Sequence, residues 1–481
     1  MSLSLNATLS LPDFIALSPL LILLVAALAL LLLESFAPFA AKRLSATITA
    51  LALAIALFAA ITAPASENAL LTPWLRFDTL ARAFTCFFLA IGLGATLLST
   101  SFFQRFEASR GEYFFLLLSA LFGLILIGSA ADLLTLFLGI ETLSLSLYVL
   151  CGYMKKWKFS SESAIKYFLM GALAAAFLLY GIALVYGATG TTRLDALLPA
   201  YQALGSGPSQ VLFLSGIALI TLGLAFEAAI VPFHVWAPDV YDGAPTPVTA
   251  FMAVGTKVGA FAAFARIFLD ALPHFDPLWN QAIALLAFPT LIYANLVALR
   301  QTQLRRFFAY SGISHAGFLL LPLAAGTADA LPALMFYLIV YGLATLGAFS
   351  VLAFLDRSEE GVTLTDLQGL FKKSPWLAAV LALCLLTLAG IPPTAGFLAK
   401  FHLFMIAFKA GYHALVVVAL FTTIVSAYYY LRIVAMMLSA SPNEISTPSR
   451  SWPAAAVGII SFAAIVLLSC YPSPLISFFN K

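Results

Sequence analysis

Long apolar runs separated by short polar loops form the dominant pattern of this chain. A membrane-crossing helix takes about 20 apolar residues, and fourteen runs are long enough. They predict spans at about 15–34, 44–63, 78–101, 113–130, 132–153, 162–188, 210–231, 245–269, 279–299, 304–323, 331–355, 375–408, 412–438 and 453–475. We therefore expect an all-α polytopic membrane protein with about fourteen transmembrane helices and one longer polar loop at about 356–373.

Two of these spans contain residues that interrupt a helix. The seventh runs into Pro232, and the twelfth holds the stretch AGIPPTAG at 389–396. Proline removes a backbone donor and clashes with the preceding turn, so helices stop and restart there. Irregular backbone at membrane depth persists only where protein or water covers it. Both breaks are therefore predicted to face the inside of the bundle.

A weak internal repeat divides the chain. Glu141 and His315 occupy corresponding places in two five-helix units, and so do Glu227 and Lys400. The units are spans four to eight and nine to thirteen, and an odd number of spans inverts the second relative to the first. Inverted repeats with broken helices are a transporter architecture. The predicted domains are a three-helix segment at 1–110, the repeats at 111–270 and 271–440, and a C-terminal helix at 441–481.

Composition agrees with a membrane protein. The chain is 63% hydrophobic and 9% charged, whereas ordinary soluble domains are about a quarter charged. A net charge of +3 gives no reason to expect a nucleic-acid partner. The four cysteines lie in apolar runs without ligand spacing, so we interpret them as packing residues and predict no metal site or disulfide. No Lys or Arg precedes the first apolar run, so we expect that span to be retained.

Basic residues indicate the orientation in the membrane. Loops after odd-numbered spans hold fourteen: Lys42, Arg43, Arg105, Arg110, Lys155, Lys156, Lys158, Arg300, Arg305, Arg306, Arg357, Lys372, Lys373 and Arg450. The other face holds six: Arg76, Arg82, Arg193, Arg266, Lys409 and Lys481. The positive-inside rule places the first set in the cytoplasm and both termini outside.

Six ionisable residues fall inside the predicted spans: Glu141, Lys166, Glu227, Lys257, His315 and Lys400. A charge at a helix centre costs about 2.5–3.5 kcal/mol on insertion scales, so a series of them indicates function. Acids and bases placed close together can exchange protons with internal water, and we interpret the six as a proton relay.

Structural interpretations of the same residues stay open. Lys166 is close enough to a helix end to extend its ammonium group to the interface. His315 could serve only as an interhelical hydrogen-bonding group. Glu141, Lys257 and Lys400 could form ion pairs that hold the bundle together and carry no protons.

Several motifs around these residues carry a family resemblance. They are GIETLSLSLYVL (139–150), ESAIKYFLMGALAAAFLLYG (162–181), VPFHVWAPDVYDGAPTPV (231–248), TKVGAF (256–261), AYSGISHAGF (309–318) and LAGIPPTAGFLAKF (388–401). With them the chain resembles the antiporter-like membrane subunits of respiratory complex I, and within that family the subunit N type of bacterial NADH–quinone oxidoreductase. The resemblance covers about residues 110–440.

The resemblance implies specific roles. The family's span-five glutamate matches Glu141, and its lysines of spans six, eight and twelve match Lys166, Lys257 and Lys400. The span-seven lysine does not carry over, because that position is Glu227 here. Two facing acids repel each other, so either Lys166 or Lys257 serves as the substitute partner, or the proton chemistry of this subunit is altered.

The resemblance also implies a setting. This chain would translocate protons as a subunit without redox cofactors, while NADH, FMN, iron–sulfur clusters and quinone would bind elsewhere in the complex. It would contact an antiporter-like neighbour and small membrane subunits in a bacterial inner membrane. The alternatives are a subunit of a multisubunit cation/proton antiporter, a membrane-bound hydrogenase or another donor–quinone oxidoreductase, and a purely structural subunit.

Overall fold

The apolar runs fold into helices in the computed structural model, which describes residues 8–108, 110–273, 277–440 and 451–479. Arg450 and Lys481 of the charge count lie outside the described residues, as does the predicted domain boundary at 441. Within the described ranges the secondary structure is helical, with three isolated β-bridges and no strand.

Ten helices precede residue 265. They are α1 (Leu11–Phe36), α2 (Pro38–Thr62), α3 (Thr79–Arg105), α4 (Gly111–Ser129), α5 (Leu133–Cys151), α6 (Lys158–Thr189), α7 (Leu194–Ala203), α8 (Pro208–Glu227), α9 (Trp236–Gly243) and α10 (Thr246–Phe264). A π-helical segment, Ala265–Ala271, continues α10 to the end of its span.

Nine further helices follow. They are α11 (Pro277–Ala298), α12 (Leu304–Ala325), α13 (Ala330–Leu355), α14 (Leu370–Lys373), α15 (Pro375–Ala389), α16 (Ala395–Lys409), α17 (His413–Leu438), α18 (Trp452–Cys470) and α19 (Ser473–Phe479). Asp132 accepts a hydrogen bond from Leu134 N and caps α5, while Asp78 caps α3 in the same way. Prolines in the first turn start several others, where a missing N–H costs nothing.

Thirteen of the described helices are long and apolar enough to cross a membrane. The shorter helices α15 and α16 together occupy the predicted twelfth span. Counted as one crossing, they bring the total to the predicted fourteen. The predicted all-α polytopic fold is confirmed. Sequence analysis missed α7, α9 and α19, which are short, and the polar loop after α13 contains a short helix, α14.

Both predicted breaks are present. Helix α8 ends at Glu227 and α9 begins at Trp236, with Pro232 between them. Helix α15 ends at Ala389 and α16 begins at Ala395, with a Pro-Pro pair between them. Gly390 caps α15 with φ 77°, a left-handed conformation that glycine adopts without strain. The prolines therefore divide the fourth span of each five-span set.

Helices α10 and α12 lie at the centre of the bundle. The spans Thr246–Ala271 and Leu304–Ala325 are buried along their whole apolar windows, whereas α1, α2 and α18 bury about a third of theirs. Helix α10 contacts α3, α4, α5, α8, α12 and α13. Lys257 and His315, which these two helices carry, are therefore held in the protein interior, away from lipid.

Candidate site: a buried line of lysine, histidine and tyrosine residues

Lys257 reaches the carbonyl end of a broken helix. Its side chain on α10 is 1% exposed, and its Nζ donates a hydrogen bond to the carbonyl oxygen of Ala228, 3.5 Å away. Ala228 is the first residue beyond α8. Helix C-termini carry partial negative charge that favours a cation. A Cβ at residue 312 would lie 3.0 Å from the Lys257 Cε, so Gly312 leaves room for this side chain.

Lys400 makes an equivalent contact at the second break. Its side chain on α16 is 3% exposed, and its Nζ donates a 2.9 Å hydrogen bond to the carbonyl oxygen of Ala389, the last residue of α15. The ammonium group also lies 4.6 Å from the ring centroid of Phe318, a cation–π distance. A Cβ at residue 390 would lie 2.8 Å from the Lys400 Cδ, so Gly390 also provides the space that the lysine fills.

His315 lies on α12 between the two lysines and is 4% exposed. Its Nδ1 is 2.7 Å from the Tyr337 hydroxyl and its Nε2 is 3.2 Å from the Tyr430 hydroxyl. The His315 ring lies 5.0 Å from the Tyr341 ring, centroid to centroid, and it lines a cavity together with Lys400. The interhelical hydrogen bonds of the structural interpretation are therefore present.

Hydroxyl groups extend the line in both directions. The Tyr430 hydroxyl is 2.5 Å from the Ser311 hydroxyl. The Tyr341 hydroxyl donates a 2.9 Å hydrogen bond to the Ala253 carbonyl, which lies one turn before Lys257 on α10. The Tyr430 hydroxyl meets both His315 and Ser311 and can donate and accept, whereas the Tyr341 hydroxyl donates its proton to a backbone carbonyl that cannot pass it on.

A small cavity joins His315 to Lys400. Tyr337, Tyr341 and Thr387 also line it. Its volume of about 10 Å³ approaches the space that one buried water molecule needs, and its lining provides several polar partners. The gap between the imidazole and the ammonium group can thus be bridged by a single water molecule.

Glu227 is the last residue of α8 and is 3% exposed. Its Oε1 is buried and has no hydrogen-bond partner among the described residues. The next residue, Ala228, accepts the hydrogen bond of Lys257. Lys166 and Lys257 were the two cations expected as a substitute partner for this acid. Lys257 lies beside the break, whereas Lys166 forms ion pairs with other acids.

Lys166 lies at the surface end of the bundle. Its side chain is 42% exposed and forms 2.8 Å ion pairs with Glu162 and Asp239. Asp239, on α9, also binds Arg306 at 2.8 Å. These residues line a cleft of about 390 Å³, so the structure supports the interfacial interpretation of Lys166 and separates it from the buried line.

Glu141 also stays apart from the buried lysines. It lies on α5, is half-buried, and makes no hydrogen bond or ion pair with any residue of the described ranges. Helix α5 packs against α10, the helix that carries Lys257. The structure therefore brings Lys257, His315 and Lys400 together, with Glu227 and Glu141 at the Lys257 end.

Sequence reasoning missed the tyrosines and Ser311. Tyr337 and Tyr430 fall within α13 and α17, whose apolar runs give no sign that their hydroxyls meet His315.

Sequence reasoning also missed a buried arginine, because Arg266 was counted as a loop charge. Arg266 donates hydrogen bonds of 2.6 and 2.7 Å to Asp78 and others to the Gly128 carbonyl. The sequence did offer a signal for this pair, since Arg266 interrupts one apolar run and Asp78 stands at the start of another.

Asp78 lies outside the spans, at the start of α3. Burial raises the pKa of its carboxyl, but the hydrogen bonds and charge of Arg266 outweigh that effect and hold the pKa below the ordinary value. Arg305, also counted as a loop charge, is buried and donates to the Ala244 and Glu359 carbonyls. These two arginines bind elements together and are not free surface charges.

Metal and disulfide chemistry have no site in the described residues. No group of three or more His, Cys, Asp or Glu residues there has the arrangement of a metal site. The four cysteines are free thiols: Cys151 and Cys384 are buried and Cys86 is half-buried. Cys470 is exposed, so the packing interpretation is wrong for that residue. Its place at the last position of α18, the end of the membrane span, explains the exposure.

Comparison with known proteins places this arrangement in a family. A family model described as the transmembrane part of NADH:quinone oxidoreductase and Mrp antiporters matches residues 130–426. The chain belongs to this family. A relative named NADH-quinone oxidoreductase subunit N, from Protochlamydia amoebophila, is 64% identical over 98% of both chains. One with the same name from Trichlorobacter lovleyi is 38% identical over 96% of this chain and 95% of its own.

Solved structures of the antiporter family share the fold. A chain of respiratory complex I from Thermus thermophilus matches with a TM-score of 0.83 and 38% identity, covering 95% of this chain and 98% of that one. A chain of the Mrp complex from Dietzia matches with a TM-score of 0.84 at 22% identity, over 98% and 96% of the two chains. At that identity the second match shows the fold alone.

Proposed function

We propose that this chain is a proton-translocating membrane-arm subunit of an NADH–quinone oxidoreductase. The buried line from Lys257 through His315 to Lys400 is the observation that carries the proposal. Relatives named subunit N, up to 64% identical over nearly the whole chain, support the choice of complex. The chain itself would move protons while electron transfer takes place in other subunits.

Lys257 is the central proton carrier in this account. Its hydrogen bond to Ala228 is long, at 3.5 Å, whereas N–H···O bonds in proteins are usually about 2.7–3.2 Å. A neutral carbonyl at that distance orients the ammonium group but does not hold its proton strongly. Glu227, whose Oε1 faces no protein donor, supplies a nearby acceptor that changes charge together with Lys257.

His315 and Lys400 continue the path. A proton leaving Lys257 reaches His315 through a water molecule beside Tyr341, and a second water in the cavity connects the imidazole to Lys400. Lys400 then passes protons towards the outside. Glu141 tunes the acid at the break, and the cleft that contains Lys166 and Asp239 provides proton uptake from the opposite side.

Orientation and partners follow from the same proposal. The face with more basic residues is cytoplasmic, which puts the cleft at Lys166 in contact with the cytoplasm and the termini outside. The membrane is a bacterial inner membrane. NADH, FMN, iron–sulfur clusters and quinone bind in other subunits, and the neighbours are an antiporter-like subunit and small membrane subunits.

A cation/proton antiporter subunit is the second candidate. The family includes Mrp antiporters, and the Dietzia Mrp chain shares the fold. The identity to relatives named subunit N favours the first candidate, since the Mrp chain is 22% identical. Neighbouring genes discriminate the two, because peripheral redox subunits accompany the first and antiporter subunits alone accompany the second. If the neighbouring genes encode redox subunits but no NADH-binding subunit, they would instead indicate a hydrogenase or an enzyme with another electron donor.

Deletion and complementation test the proposal. Membranes from a strain that lacks this chain should fail to form a membrane potential when NADH is added, and the wild-type chain should restore it. If NADH-driven potential is unchanged by the deletion while sodium-driven proton movement is lost, the antiporter candidate is correct and the first proposal fails.

A further inference from the structure

A deep apolar groove runs along the outside of the bundle, far from the buried lysines. Helices α2, α3, α13 and α18 form its walls, and α19 closes one end with Phe478. Its volume is about 850 Å³ and its lining is mainly apolar. Ala90 and Ile460 are exposed on the walls. A cavity of this size open to the hydrocarbon of a membrane is filled by something apolar.

Among the described residues that line this groove, one is a cation. Arg82, in the first turn of α3, lines it at the end where α19 lies. The side chain of Arg82 makes no hydrogen bond or ion pair with a residue of the described ranges. Its neighbours are already paired: Asp78 accepts from Arg266, and Arg76 binds Asp270 at 2.6 Å. Within the described part of the chain, three guanidinium groups and two carboxylates meet at this corner, which gives it one positive charge in excess.

The length of the groove fits a lipid chain. Along α3 it extends from Arg82 to Leu97, which at about 1.5 Å per residue is about 22 Å. One leaflet contributes about half of a hydrocarbon core that is about 30 Å thick. The groove is therefore longer than one leaflet is thick, so an acyl chain of that leaflet can lie entirely within it, with its headgroup at the level of Arg82 and α19.

We propose that the groove is a binding site for an anionic phospholipid. Arg82 binds the phosphate, the walls from Ala90 to Leu97 hold an acyl chain, and Phe478 covers the glycerol region. A guanidinium group and a phosphate form charge-assisted, often bidentate, hydrogen bonds. The site is separate from the proton path and does not depend on the proposed function.

The test is lipid binding to the full-length chain purified in a mild detergent. Native mass spectrometry should show one phosphatidylglycerol bound per chain, with diacylglycerol of the same acyl chains bound more weakly. Arg82→Gln should weaken phosphatidylglycerol binding by about tenfold, the size of one lost charge-assisted contact. Ala90→Trp fills the groove from an exposed position and should abolish binding without disturbing the core.

Two variants serve as matched controls. Arg43→Gln removes an exposed arginine that has no hydrogen bond or ion pair within the described ranges, and Ala29→Trp adds the same bulk on the exposed face of α1. Both should bind the lipid as the wild type does. Wild-type binding by Arg82→Gln and Ala90→Trp would overturn the proposal.

The assembled complex supplies a second, independent measurement. A photo-reactive residue at position 90 should cross-link to lipid. Cross-linking to a protein helix would show that a partner subunit fills the groove, and the lipid proposal would then be wrong.

Discussion

Lys257 and Lys400 make the same contact at two different breaks in the fold. Each ammonium group donates to a carbonyl at the C-terminal end of the first half of a broken helix, Ala228 in one case and Ala389 in the other. Unpaired carbonyls at a helix end attract a cation. The breaks therefore create two equivalent places where a proton can reside on an amine inside the membrane.

The contact at the second break predicts the effect of removing its amine. Lys400→Gln should leave the complex assembled, because glutamine can still donate to the Ala389 carbonyl. Proton translocation should fall by about 100-fold, the scale of a lost proton-transfer group. The measurement is NADH-driven membrane potential in vesicles, normalised to the amount of assembled complex. Lys409→Gln, an exposed lysine at the end of the same helix, is the control, and equal effects of both variants would contradict the role of Lys400.

The tyrosines beside His315 predict a second effect. Tyr430→Phe removes the hydroxyl that contacts both His315 and Ser311, so it should slow proton translocation and lower thermal stability by about 1–2 kcal/mol. Tyr153→Phe removes a hydroxyl that donates to the Ala108 carbonyl at 3.2 Å and contacts neither His315 nor Tyr430. It should lower stability similarly and leave translocation unchanged. The combined readout separates a relay hydroxyl from a structural one, and equal translocation in the two variants would argue against the relay.

Much of the fold was predictable because the apolar runs and the prolines act locally. The fourteen spans and both interruptions follow from span length and from the backbone chemistry of Pro232 and the Pro-Pro pair. The site was predictable only in part. Lys257 and Lys400 stand out because a charge in an apolar run is costly wherever it points.

The rest depends on contacts between distant parts of the chain. Tyr337 and Tyr430 belong to different helices, and a tyrosine in an apolar helix looks the same whether its hydroxyl meets His315 or a headgroup. The same reason explains Lys166, whose sequence position did not reveal that Asp239 and Glu162 hold it at the surface. It also explains Arg266, which is paired with an acid on another helix.

The ion pair between Arg266 and Asp78 predicts a pH-dependent stability. Asp78→Asn leaves Arg266 buried with a weaker partner and should cost about 2–3 kcal/mol, below the loss for a fully buried pair because Asp78 is 42% exposed. Because the folded pKa of Asp78 is lowered, its contribution is complete above the ordinary value of 3.8 and is lost as pH falls through the folded pKa. Thermal unfolding in detergent should show this acid-sensitive component in the wild type and not in Asp78→Asn.

The control for that pair is Asp195→Asn. Asp195 binds Arg193 at 2.6 Å, and both side chains are exposed, so its removal should cost less than about 1 kcal/mol. A loss as large as that of Asp78→Asn would show that burial does not set the strength of the first pair.

The exposed position of Lys166 predicts a mild phenotype. Lys166→Gln removes two ion pairs at a half-exposed cleft, so assembly should be unaffected and translocation should keep more than about half of its rate. Membrane potential measured beside Lys400→Gln gives the comparison. A loss as complete as that of Lys400→Gln would place Lys166 in the relay itself and contradict the account of the cleft.

The central claim is that Lys257 carries the proton, and the most direct measurement uses the pair Lys257 and Glu227. Lys257→Met alone leaves the buried Glu227 carboxyl without the nearby ammonium group, which can prevent assembly for structural reasons. Glu227→Gln removes that complication. The measurement is therefore quinone-reductase rate and membrane potential in the assembled complex that carries both changes, compared with Glu227→Gln alone. The account predicts normal assembly of the double variant with both activities lost, and a double variant that keeps both activities near those of Glu227→Gln would contradict it.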